Sequence, residues 1–286
     1  MADPLVTVAM PVMDCATTVA AAIRSMLNQT MSDWSLILID DGSTDRTLEQ
    51  IRAFSDSRIY VHSDGRHLGL PARLNQAIGM ATGKYFARMD GDDLCYPERL
   101  ERQLVVLESS PSLDLVGAGM LVFGPGGKPL GCRIGPETHD RICAHPSSGF
   151  PLAHPTWCGR RAWFQAHGYA DASRRSQDQD LLLRTWKSSQ FANLPEILLG
   201  YREERVDLRK VLGSRRDFIG SVARESGGWA RLETARATLE QAAKGAVDML
   251  AVAFGAESVI LAHRHRPLAK REIVRWRKVW IECNEP

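Results

Sequence analysis

Residues 35–45 read SLILIDDGSTD: an apolar run, then two carboxylates, then a glycine turn. Leu36 to Ile39 show no polar alternation, the mark of a strand buried on both faces. Asp41-Gly42 is a turn dipeptide, and Ser43 is placed to cap a helix running to about Phe54. The turn accounts for Gly42 and Ser43. It does not account for Asp40 and Asp41 side by side at the strand's carboxyl end, where their repulsion requires a partner or a ligand.

Working outward, strand and helix signals alternate. Upstream, Leu5–Val12 reads as a Val-rich strand and Thr17–Gln29 as a helix with Val19, Ile23, Met26 and Leu27 on its apolar side. Downstream come a strand at Arg58–His62, a helix at Pro71–Met80 and a strand at Lys84–Met89. Pro97 suits the first turn of a helix to Glu108, and Leu113–Phe123 is a fifth strand ended by the turn GPGGKP. This order predicts an α/β class with a mostly parallel, Rossmann-like sheet covered by helices on both faces. Ligands of such sheets bind outside the carboxyl ends of the strands. Gly131–Arg175 is irregular, Asp178–Trp186 helical, Ala192–Arg202 extended, and the chain from Asp207 onward helical.

The 286 residues are 44% hydrophobic and 24% charged, ordinary for a globular protein with a sizeable core. A net charge of +2 speaks against a nucleic-acid partner. Six scattered cysteines form no C-x-x-C pair, so neither a zinc site nor a disulfide framework is expected, and a reducing cytoplasm is. The Met1 end lacks the basic start of a signal peptide, and the apolar stretch Gly245 to Leu261 is interrupted by Asp248 and Glu257.

A second acidic cluster, Asp90-Gly-Asp92-Asp93, also follows a strand. Three carboxylates in four residues repel unless a cation is present, and Mg²⁺ or Mn²⁺ prefers such hard oxygen ligands. An EF-hand loop is excluded, because Leu94 and Cys95 stand where a ligand and a glycine are required. Gln177-Asp178-Gln179-Asp180 opens a helix; by itself it reads as acids favoured at a helix start. Gly117-x-Gly119 lacks a third glycine, GPGGKP is not a Walker A loop, and no G-x-S-x-G elbow occurs.

Taken in order, these motifs resemble glycosyltransferase family 2, the inverting GT-A enzymes. VAMPVMD (8–14) resembles the family's first strand and turn, and IDDGSTD (39–45) its second motif. HLGLPARLNQAIGMATGKYFARMDGDD (67–93) resembles the run from nucleotide loop to metal motif. FPLAHPTWCGRRAWFQAHGY (150–169) resembles the acceptor-side loop, and SQDQDLLLR (176–184) the catalytic-base segment. The resemblance implies a GT-A domain over 1–205, with a nucleotide half to about 125 and an acceptor half from 126, followed by a helical extension over 206–286. It implies that Pro11 and Asp14 line the nucleotide pocket, that Asp40 bonds the base with Asp41 close by, and that Arg73 stands one residue before the usual basic position. Asp90 would touch the donor ribose, Asp92 would ligate Mn²⁺ or Mg²⁺, and Asp93 would support it. Asp178 matches the general base, Gln177 stands where a Glu is common, and His154 would approach the diphosphate or the acceptor. Asp14 replaces a usual Asn, and near Tyr201-Arg202, where a His is common, Glu204 is the nearest candidate.

The resemblance implies a nucleotide-sugar donor, first of all a UDP-sugar, and a glycan or lipid-linked acceptor of the cell-surface polysaccharide or glycolipid kind. Two other functions are weighed: a catalytically inactive sugar-binding relative, and a nucleotidyltransferase that makes nucleotide sugars. The first is opposed by Asp92 and Asp178, the second by the lack of a Gly-rich basic loop after the first strand. An Asp-phosphorylated receiver is excluded by length. Near the C-terminus Arg264, Arg266, Lys270, Arg271, Arg275, Arg277 and Lys278 accompany Trp276 and Trp280. The bland expectation is a terminal helix packed on the domain; the alternative is peripheral contact with an anionic membrane surface at its inner face.

Overall fold

The computed structural model describes residues 3–170, 175–203, 208–225, 230–254 and 265–284. The elements are β1 (Val6–Val12), α1 (Val19–Leu27), β2 (Trp34–Asp40), α2 (Thr47–Arg52), β3 (Ile59–Ser63), α3 (Leu70–Met80), β4 (Tyr85–Arg88), β5 (Leu94–Cys95), α4 (Arg99–Ser109) and β6 (Leu115–Phe123). There follow β7 (Pro129–Arg133), α5 (His139–Ile142), β8 (Cys158–Arg160), α6 (Arg161–His167), α7 (Gln177–Thr185) and β9 (Phe191–Arg202). The helices α8 (Leu208–Glu225), α9 (Ala230–Ala253) and α10 (Lys270–Asn284) complete the chain.

The strands form one sheet in the order β3-β2-β1-β4-β8-β6-β9-β5, with β7 on β6. From β3 to β4 every pairing is parallel, and β1 and β2 are buried along their whole length, as their unbroken apolar runs require. The other half is mixed. The three-residue β8 enters antiparallel between β4 and β6, while β6 pairs with β9 in parallel. So short a strand, containing Gly159 and Arg160, has no periodicity to reveal it in the sequence. One apolar cluster lies under α1 and α4, and another under α3, α6 and α7, so helices cover both faces.

Two local expectations need correction. Ser43 caps nothing: α2 begins at Thr47, and Asp45 organises its start by accepting from the Thr47 amide and hydroxyl. The Ser43 hydroxyl instead accepts from the Asp14 amide across the loops. Pro97 precedes α4, which starts at Arg99.

The last helix is built into the sheet. Trp276 is fully buried against Phe123 and Tyr96, and its indole N–H donates to the Gly127 carbonyl at 2.7 Å. A Cβ at Gly200 would overlap the Trp276 ring, and one at Gly127 the Trp280 ring. Trp276 is thus a core residue and Trp280 packs partly buried against the same cluster, while Lys270, Arg271, Arg277 and Lys278 stay exposed. Arg264, Glu204 and the expected boundary at residue 205 lie outside the described residues. Among the described residues, no helix is long and apolar enough to cross a membrane.

Candidate active site

Strand ends and the loops after them converge at the carboxyl edge of the parallel half. After β1, Asp14 adopts a left-handed backbone with φ of 47°, a conformation Asp and Asn tolerate best among residues with a Cβ. Its carboxylate accepts from the Thr44 amide at 2.8 Å and so fixes the β2–α2 loop to the β1–α1 loop. Pro11, Asp14, Gly91, Asp92 and Arg202 line one cavity of about 460 Å³.

Asp40 and Asp41 do not line that cavity and divide their roles. Asp40 accepts from the Ser43 amide and the Ser63 hydroxyl. Asp41 is buried and accepts from the Leu68 and Gly69 amides, from His67, and from Arg73 Nε at 2.8 Å. Arg73 is the partner that the carboxylate pair required. Its guanidinium is fully buried, and its other N–H groups donate to Asp64, Gln76 and the Arg66 carbonyl. With all five donors engaged it has none for a nucleotide. Arg73 thus holds Asp41 and the 64–69 loop.

The second acidic motif gathers as a cluster. Asp90, Asp92 and Asp93 each offer a carboxylate oxygen within 4.8 Å of the others. Burial, reinforced by the charge of Asp90, pushes Asp92 up to about 6. Burial and the charges of Asp92 and Asp90 push Asp93 well above the ordinary carboxylate range. One Asp93 oxygen accepts from the Arg202 amide; the other is buried with no partner. Hard oxygens, mutual repulsion and an orphaned carboxylate oxygen are what a divalent cation relieves, so these residues fit one.

Asp178 stands in the first turn of α7, half-buried, and lines a separate cavity of about 370 Å³ with His154 and Asn193. Burial raises its pKa, opposed by a hydrogen bond from Gln179 and by the charge of Arg88. His154 Nε2 lies 2.9 Å from the Tyr169 hydroxyl, and burial drives its pKa well down, so the ring is neutral. Gln177 is buried, and its side-chain oxygen has no partner.

Sequence reasoning missed two residues. Arg88 is fully buried in β4 and grips both oxygens of Asp90. Its charge is felt by Asp92, Asp93, His154 and Asp178, so it bears on both the acidic cluster and the α7 carboxylate. The available signal was an arginine inside a buried strand, two residues before Asp90 and therefore on the same side of the chain. Arg202 donates through Nε to the Asp92 carbonyl and through its amide to Asp93. Nothing in the sequence brings residue 202 to residue 92; only the β5–β9 pairing does.

An α/β sheet with an acidic, cation-fitted carboxyl edge and a mixed second half is the GT-A architecture. Residues 7–139 match the family model described as Glycosyl transferase family 2. EpsE of Bacillus subtilis (strain 168), itself classed as a glycosyltransferase, is 38% identical over 226 residues, covering 77% of this chain and 78% of EpsE. The chain belongs to glycosyltransferase family 2. Its fold is similar to that of S. aureus TarS 1-349 in complex with UDP-GlcNAc (TM-score 0.61, 16% identity, 97% of this chain and 81% of that one). It is likewise similar to the mannosyltransferase PcManGT from Pyrobaculum calidifontis in complex with GDP-Man and Mn²⁺ (TM-score 0.60, 15% identity, 99% and 86%).

Proposed function

We propose that this glycosyltransferase moves a sugar from a nucleotide-sugar donor to an acceptor hydroxyl with inversion at the anomeric carbon. The observation that carries the proposal is the pairing of two carboxylate environments around buried Arg88: the Asp90–Asp92–Asp93 cluster and the desolvated Asp178. Asp92, with Asp90 and Asp93 beside it, would hold a divalent cation, Mn²⁺ or Mg²⁺. When bound, such an ion supplies charge stabilisation to a departing diphosphate.

The chain's own residues do the rest. Pro11 and Asp14 shape the nucleotide side, and Asp40, held by the Ser43 amide and the Ser63 hydroxyl, is the residue we assign to bond the base. Arg202 adds positive charge beside Asp92. Asp178 takes the proton of the acceptor hydroxyl at its carboxylate; its raised pKa makes it a stronger base than a solvated aspartate. Attack from the face opposite the leaving group inverts the anomeric centre. Neutral His154, held by Tyr169, lines the same cavity and offers a hydrogen bond without charge.

A UDP-sugar is the first donor to try, supported by the UDP-GlcNAc bound by TarS; the GDP-Man bound by PcManGT makes GDP-sugars the second. A cell-surface glycan or glycolipid is the acceptor class we infer, with the enzyme working at the inner face of the cytoplasmic membrane through the exposed basic side of α10. Liposome sedimentation tests that contact: equal sedimentation with neutral and anionic vesicles sinks it. The transfer itself is tested by incubating UDP- and GDP-sugars with acceptor glycans and reading the anomeric configuration by NMR; a retained configuration overturns the proposal.

A further inference from the structure

A helix packed on a domain normally turns its apolar side inward. The helix α9 does the reverse. Its buried stripe holds Ala237, Gln241, Asp248 and Ala251, and Gln241 and Asp248 accept from Arg215 of α8 at 2.7 and 2.6 Å. The opposite side presents Leu232, Leu239, Val247, Met249 and Leu250, continued by Phe254 just past the helix end, all exposed. Leu239 is 73% exposed and Phe254 81%, so these side chains stand clear of the domain. Leu232, Leu239 and Leu250 follow one another by about two and then about three turns, which sets them on one line along the helix. A continuous apolar line left facing water marks a contact surface.

The face is held in a set orientation. Asp180 of α7 accepts from Ser221 and Arg224 of α8, and Glu240 of α9 accepts from the Ser148 hydroxyl. Charge decides what covers it. Arg209, Arg216 and Arg236 are exposed on the two helices, as are Arg224 and Lys244 beside their bonds to Asp180 and Glu240. Among the described side chains of α8 and α9, Glu225 is the one exposed acid. A second copy would set like charges against like. An anionic bilayer instead offers acyl chains to the leucines and opposite charge to the arginines. Since α9 is not apolar enough to cross a bilayer, it would lie along one.

We propose that α9 lies in the surface of an anionic lipid bilayer, its outer face among the acyl chains and the arginines of the α8–α9 pair over the headgroups. The inference does not depend on the transfer chemistry, and it adds an apolar footing to the basic contact of α10.

Flotation of the full chain with phosphatidylcholine vesicles, with and without phosphatidylglycerol, tests it. The protein is expected to bind the anionic vesicles at least about tenfold more tightly than the neutral ones, and to lose that preference in high salt. Leu239→Gln with Leu250→Gln is expected to weaken partitioning by about tenfold or more. The melting temperature should stay unchanged, because both side chains are exposed and glutamine sustains a helix. Hydrogen exchange reads the same face without any substitution: the α9 amides should slow when anionic vesicles are added, and those of α3 should not. Flotation of the double variant equal to wild type, or α9 exchange unmoved by vesicles, overturns the inference and leaves α10 as the contact. Equal binding to neutral and anionic vesicles overturns it as well. So does a lipid-free dimer that the double variant splits, since a second copy then covers the face.

Discussion

Asp92→Asn should make the metal-free protein more stable, even though it removes the residue proposed to hold the metal. In the folded chain Asp92 is pushed from 3.8 up to about 6, first by burial and then by the charge of Asp90. That is a rise of roughly two pH units, and each unit corresponds to about 1.4 kcal/mol. The full conversion is about 3 kcal/mol; since the side chain reaches solvent in part, we discount it to about 1–2 kcal/mol. The sign follows from linkage. A raised carboxyl pKa favours the fold below the unfolded value and loses that benefit as pH rises through about 6. At pH 7 the wild type therefore carries the repulsion in full and the Asn variant does not. In EDTA at pH 7 the variant's melting temperature should rise by roughly 2–6 °C. The gain should shrink as pH falls through 6 and vanish below about 4, where the wild-type carboxyl is protonated in both states. Scanning calorimetry across pH measures this. A variant less stable than wild type in EDTA at pH 7, or a gain independent of pH, would refute the claim that the cluster is held together against its own charge.

Asp178→Asn should lower turnover by about 10²–10⁴-fold and leave nucleotide affinity within about twofold, as single-turnover kinetics and calorimetry would reveal; near-normal turnover removes Asp178 as the base. Because burial raises the Asp178 pKa and the base must be ionised, kcat/KM should climb with pH along a limb above the ordinary carboxylate range; a profile flat from about pH 4.5 upward contradicts this. Arg73→Met takes away the buried cation beside Asp41 and leaves it only His67 and the Leu68 and Gly69 amides, so a loss of about 2–4 kcal/mol in urea unfolding is expected, against under about 1 kcal/mol if the pair is merely superficial. Trp276→Ala should cost about 3–5 kcal/mol, a loss that a terminal helix lying loosely on the surface would not show.

Most of the parallel half is legible because β1, β2 and β4 are buried along their length, and β1 and β2 announce themselves as near-unbroken apolar runs, Leu36–Ile39 above all, while the edge strand β3 is partly exposed. β8 is not, being three residues whose strand character comes from their neighbours on β4 and β6. The acidic motifs mark the carboxyl edge correctly, but their division of labour depends on partners distant in sequence. Asp41 reads as a site residue until Arg73 and the Leu68 and Gly69 amides are seen to engage it. Arg202 reaches Asp92 only through strand pairing. The terminal helix shows the limit of local chemistry: tryptophan among arginines suits a membrane surface as well as a core. Gly127 and Gly200, which leave room for the two rings, decide for the core.

The most direct test of the central claim is thermal stability with Mn²⁺ against UDP, GDP and the other nucleoside diphosphates. A ligand that binds only the folded state raises the melting temperature by mass action. The account predicts a rise with one nucleotide that disappears in EDTA and in Asp92→Asn. A rise that persists without metal, or no rise with any nucleotide, would contradict a metal-assisted donor site at this edge of the sheet.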